Sequence, residues 1–320
     1  MIGENNMEFM NNTLQKYIEE LSQDNLFTRL DYEQKEKIEK LITNNIQEIS
    51  KRFEGELGSS LVGVKFKLSD DIKFEMRAKL NNDGIYRGTI FCTRLLLIGM
   101  YQMFYQMDYK NIILDGKNIE NVKKILFNLA IMCMAFHELA HIYKGHLQLY
   151  NQWTTDKEIE KNLDIQTLEW DADSYAATKI AEWISNINRT IIPQDKTDFA
   201  MKIACGAIHG MMYWQRTSAD FDEIERKAHP PIFYREMAML KCIGDLRNNF
   251  NDILGYITGY EKEFNRIRGV ESSDIKKYFK HSREKMEYMS KIENNWEKIK
   301  SNLQNYSVFP LEEMETKDFL

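Results

Sequence analysis

Apolar residues recur with two different periods along this chain, and the changes of period divide it. From residue 8 to 55 the spacing is helical. In DYEQKEKIEKLITNNIQEISKRF, residues Ile38, Leu41, Ile42, Ile46 and Ile49 fall on one helical face, with Asp31 placed to cap it. The period then becomes two. VGVKFKLS alternates Val62, Val64, Phe66 and Leu68 with polar neighbours. DIKFEMRAKL sets Ile72, Phe74, Met76, Ala78 and Leu80 against Lys73, Glu75, Arg77 and Lys79. Both read as half-buried strands. NNDG (81–84) suits a hairpin turn, with Gly84 free to take positive φ, and IYRGTIFC reads as a third strand. These segments predict a small antiparallel meander with one face on a core and the other wet.

After Cys92 the helical period returns almost to the end. It predicts helices near 93–107, 119–145, 156–186, 196–217, 231–247, 249–268 and 272–304. The expected fold is therefore α+β and mainly helical. Period and composition place an N-terminal helical region at 1–57, a central domain at 58–248 and a C-terminal helical region at 249–320.

Composition narrows the class without naming a function. The 320 residues are 43% hydrophobic and 29% charged, ordinary for a globular protein. Four Pro and fifteen Gly suit helices better than many short turns. A net charge of −6 gives no support to nucleic-acid binding, which wants a basic face. The four cysteines, Cys92, Cys133, Cys205 and Cys242, form no CxxC pair and read as free thiols in a reducing compartment. MIGENNMEFMNNTLQKY lacks the pattern of a secretory signal. The apolar stretches TIFCTRLLLIGMYQMFY and ILFNLAIMCMAF fall short of the roughly 20 uninterrupted apolar residues of a membrane span. The expectation is a cytoplasmic protein with no span.

The chemistry is concentrated in MAFHELAHIYKGH (134–146). His137 and His141 are four residues apart, about 40° round a helix and one turn above each other, so both imidazoles can reach one ion. Glu138 sits one step round, beside that ion. This is the HExxH arrangement: two zinc ligands and a general base for a zinc-activated water. His146 would lie about 180° from His137 on a continued helix. Gly145 is placed to end the helix before it, which argues against His146 as a third ligand and suits a helix-end or supporting role.

A third ligand is expected in TLEWDADSYAATKIAEW, 28 residues after His141. Glu169 and Asp173 share a helical face there, and Ala172, Ala176 and Ala177 allow a second helix to approach closely. His137, His141 and Glu169 would leave a fourth zinc position for water. Asp173 could accept the second ring N–H of a ligand His. Asp171 competes with Glu169 but lies about 160° round the helix from Asp173.

HELAH followed by EWDAD resembles the gluzincin metallopeptidases, whose pattern is HExxH…ExxxD. Downstream, KAHPPIFYRE is similar to the HPxxxxxR segment of HtpX-type and CAAX-prenyl-type proteases. The resemblance implies a zincin-like core with the sheet packed on the HExxH helix. It also implies that His229 steadies the oxyanion and that Arg235 fixes the acidic residues around the site. Those two families are membrane-embedded. The short gap to Glu169 is closer to soluble gluzincins, and HELAHIYKGH…LEWDADSYAA most resembles the Lit-type phage-exclusion peptidases in style. That likeness implies a protein or peptide substrate, in particular a host protein cleaved during phage infection. It covers about 85–240. In zincins an edge strand aligns an extended substrate, and IYRGTIFC, just before the helical core, is the expected one.

Overall fold

The structure is a computed structural model. It describes residues 40, 63–69, 71, 75–82, 87–109, 119–155, 162–188, 197–213, 230, 232–243, 246–268, 282–307 and 311. Of the helices expected between 8 and 55 only Lys40 is described, and it is helical; the Asp31 cap and the tip of the turn at Asp83 and Gly84 lie outside these residues.

Among the described residues three strands form one sheet: β1 (Gly63–Ser69), β2 (Met76–Leu80) and β3 (Arg87–Thr93). β2 and β3 pair antiparallel, with Ala78 opposite Ile90, as a hairpin requires. The first strand departs from the expected meander. The order is β1-β3-β2, and β1 runs parallel to β3, with Phe66 opposite Ile90. The sheet is therefore mixed, and β3 is its central strand. Side-chain chemistry accounts for this. Gly88, Thr89, Ile90, Cys92 and Thr93 of β3 are all buried, whereas Lys65 and Lys67 of β1 and Arg77 and Lys79 of β2 are exposed. A strand carrying alternate basic residues suits an edge; β3, whose one charged residue is Arg87 at its start, suits the centre.

Thr93 ends β3 and caps α1 (Arg94–Gln106), its side chain accepting from the Leu96 N–H at 3.3 Å. Then follows α2 (Ile119–Tyr143), the central helix, which is buried nearly all round from Leu126 to Tyr143. Its stretch Val122–Tyr143 is long and apolar enough to cross a bilayer, but most of it is buried inside this protein. Gly145, at φ +80°, stops α2 in the left-handed conformation that glycine adopts most readily. The chain then restarts at once as α3 (His146–Thr155), a helix that the mixed polar sequence HLQLYNQWTT did not announce.

The remaining helices are α4 (Asn162–Asn188), α5 (Thr197–Tyr213), α6 (Ile232–Ile243), α7 (Leu246–Arg268) and α8 (Ser282–Leu303). The helix α2 packs against α4, α5 and the sheet; α6 packs on α4 and α5, and α8 packs on α4. Gly88 lets α2 lie directly on β3, because a Cβ there would overlap Ile142. The architecture is α+β, mostly helical, with a small mixed sheet.

Candidate metal centre

The two histidines of HELAH face one point. His137 Nε2 and His141 Nε2 are 3.1 Å apart. Glu169, on α4, completes a triangle: Oε2 lies 3.3 Å from His137 Nε2, and Oε1 lies 3.3 Å from His141 Nε2. All three residues are buried, and together they could hold a metal ion. The two contacts use different oxygens of Glu169; with one ligand atom taken from each residue, the three atoms all lie within 4.8 Å of one another, close enough to surround one ion.

Negative charge surrounds this point. His137 Nδ1 lies 2.8 Å from Asp173 Oδ1, although the ring N–H does not point straight at the oxygen. Burial works against a charged His137, but hydrogen bonds and charges from Asp173 and Glu169 outweigh it and raise its pKa to about 10. A field that holds a proton this firmly would also hold a cation. Arg235, on α6, offsets part of it. Its Nε donates to Asp173 Oδ2 at 2.6 Å, and a terminal nitrogen donates to Asp173 Oδ1 at 2.9 Å. The same nitrogen lies 3.4 Å from Glu169 Oε2. This fork onto one carboxylate fixes Asp173 in both position and charge. Burial raises the Asp173 pKa, but Arg235 and His137 bring it below the usual carboxylate range.

Glu138 differs from its neighbours. It is only half-buried, and its Oε2 accepts the Ala78 N–H of β2 at 2.6 Å. Burial pushes its carboxyl above the usual range, with Glu169 adding to the rise. The imidazoles of His137 and His141 and the Ala78 N–H pull the other way. The result is a carboxylate more basic than usual, fixed at a strand edge beside the triangle.

Three residues support His141 from the other side. His146 Nδ1 lies 3.0 Å from His141 Nδ1, and His146 Nε2 lies 3.1 Å from Asp171 Oδ2. Lys144 Nζ donates to Asp171 Oδ1 at 2.9 Å. His146 is fully buried and starts a helix rather than ending one. Burial lowers its pKa to about 4, more than Asp171 raises it, so it is neutral rather than the imidazolium that a helix C-terminus would favour. Burial opposes ionisation of Asp171, yet Lys144 and His146 hold its pKa down to about 2. With His141 presenting Nε2 to an ion, its Nδ1–H donates to His146, which in turn donates from Nε2 to Asp171. The tautomers along this chain are mutually consistent. Sequence spacing correctly kept Asp171 off the face of Glu169 but gave it no task. The turn at Gly145, which folds His146 back towards His141, is what assigns one. Tyr150, on α3, also approaches, its ring centroid 6.3 Å from that of His141.

His229 lies outside the described residues, while Arg235 from the same segment is described and grips Asp173. One expectation comes out differently: among the described residues the strand from IYRGTIFC is central rather than an edge, and the edge strand beside Glu138 is β2. Comparison with family models, with curated proteins and with solved structures finds no match for this chain.

Proposed function

We propose that the protein is a zinc-dependent endopeptidase with a zincin-like core. The observation that carries this reading is the pairing of a buried His137–His141–Glu169 group, close enough to hold one ion, with a half-buried Glu138 held at a strand edge. A structural zinc has no use for such a carboxylate and more often recruits cysteine; no Cys belongs to this group.

Zinc at the triangle would polarise a peptide carbonyl and bring the pKa of a coordinated water to about 7. Glu138 takes a proton from the attacking water as its oxygen bonds to the carbonyl carbon. The C–N bond then breaks, and Glu138 passes the proton to the leaving amine. The Ala78 N–H keeps Glu138 aimed during both transfers. Asp173 with Arg235, and His146 with Asp171, keep the two imidazoles in fixed rotamers and tautomers. A substrate running along β2 as an added strand would pass directly beside Glu138. Its backbone would face the outward N–H and C=O groups of Met76 and Leu80 and the C=O of Ala78, whose N–H stays with Glu138; Glu75 and Asn81, in the alternate register, are the residues that bond to β3.

The test is metal analysis and digestion of a proteome-derived peptide library with wild type and Glu138→Gln. Wild type should carry one zinc and cut. The variant should keep zinc and lose about 10²–10⁴-fold in rate. Stoichiometric zinc without cleavage by wild type would instead favour a zinc-stabilised regulatory protein, and a wild type without zinc would overturn the reading.

A further inference from the structure

The sheet has two unlike faces. Val64, Phe66, Leu68, Met76, Ala78, Leu80 and Ile90 pack towards the core. The register brings Lys65 and Lys67 of β1, Arg77 and Lys79 of β2, and Arg87 of β3 together on the other face. Only Thr89 and Phe91 separate the two edges there, and Arg77 lies over the Phe91 ring at 5.8 Å. In a chain of net charge −6, this face gathers five basic residues. Glu75 shares it, 3.5 Å from Arg77, and Asp71 lies 3.9 Å from Arg77. The Asp71 contact joins two exposed groups and the Glu75 contact an exposed and a half-buried one, and at such distances a closer carboxylate can displace them.

We propose that β2 selects substrates carrying acidic residues at alternate positions, read by Arg77 and Lys79. This rests on the peptidase reading above. Among the described residues no strand lies beyond β2. Met76, Ala78 and Leu80 turn their backbone groups outward, the Ala78 N–H to Glu138 and the others towards an added strand, so Arg77 and Lys79 occupy the non-hydrogen-bonded positions towards that strand. Side chains are closest at such positions, with Cβ atoms about 4.5–5.5 Å apart. A substrate residue opposite Arg77 and another two residues along, opposite Lys79, would thus project onto the basic face. The residues between them would project towards α2 and the metal triangle. Acidic side chains complete two cross-strand ion pairs, whereas basic ones meet like charge.

The partner is an extended acidic peptide segment, and its specificity can be read without cleavage. Wild-type full-length protein, in chelator and at low salt, is titrated into two labelled octapeptides, one alternating Glu-Val and one alternating Lys-Val. The net negative charge of the protein favours the lysine probe, so a preference for the glutamate probe reports the local face. The glutamate probe should bind about tenfold more tightly. Arg77→Glu with Lys79→Glu should reverse the order. Lys65→Glu with Lys67→Glu changes net charge equally on the far strand and should leave most of the preference. Equal affinities, no binding of either probe, or equal effects of the two double variants would each overturn the proposal. The zinc-loaded library digest separates the two ideas: charge-selective binding without any cleavage removes the peptidase reading and leaves the acidic-peptide site standing.

Discussion

His141 is held less directly than His137. Asp173 meets His137 at 2.8 Å and is itself pinned by Arg235, so one carboxylate orients one ligand. His141 instead leans on a neutral imidazole, His146, whose orientation depends on Asp171 and Lys144. Removing the middle link frees the His141 ring to rotate and leaves Asp171 with Lys144 alone. His146→Ala should therefore weaken metal binding about 10–100-fold, read by competition with a chelating dye. Asp171→Asn should weaken it in the same direction. Unchanged affinity in both variants would mean that the chain His141–His146–Asp171 has no positioning role. Glu169 and Asp173 were legible from i, i+4 spacing, because helical geometry alone puts them on one face. His146 was not, because its place depends on how the backbone turns at a single glycine.

Elements meet in this fold where a small residue permits it or a buried polar contact ties them. Gly88 is the clearest case of the first kind: Ile142 of α2 occupies the space a side chain would need. Gly88→Val should cost about 1–3 kcal/mol through overpacking, seen as a lowered midpoint in urea with an unchanged slope. An unchanged midpoint would show that α2 can move off the sheet at no cost. The second kind is the pairing of His209 on α5 with Glu236 on α6 at 2.7 Å and with Glu261 on α7 at 3.1 Å, all buried. The carboxylates flank opposite edges of the ring, so they tie three helices rather than share an ion. Glu236 adjoins Arg235, and seating α6 in this way also seats the guanidinium that grips Asp173.

Across the whole molecule, the C-terminal helix is joined to the core. The sequence marks α8 as charged and mostly polar, yet Tyr288, Met289, Ile292, Trp296, Ile299 and Leu303 form an apolar stripe that is buried. Trp170 of α4 shares a cluster with Tyr288, Met289 and Ile292; Leu168 shares another with Trp296, Ile299 and Leu303. Asn295 donates to Asp164 at 2.8 Å and to Thr167 at 3.0 Å. These contacts sit on α4, the helix that carries Glu169. Each large apolar side chain lost would cost about 1.5–3 kcal/mol, so losing six exceeds a typical total stability of 5–15 kcal/mol at the upper end. A chain ending at residue 268 should show no cooperative thermal transition, while the full chain melts in one. A truncated chain that melts cooperatively would establish α8 as an appendage.

What the sequence determined by itself was whatever depends on neighbours along the chain. The helical period, the strand alternation, the hairpin joining β2 to β3, and the pairing of His137 with His141 and of Glu169 with Asp173 all follow from backbone geometry over a few residues. Tertiary structure decided what depends on competition between distant segments. It placed β3 between β1 and β2, because the strand with the fewest charges and the most buried residues gains most from having partners on both sides. That choice in turn made β2 the edge strand and brought the Ala78 N–H to Glu138. The turn at Gly145 put His146 behind His141. Spacing does not encode either result, because each is settled by which side chains the folded core can bury together.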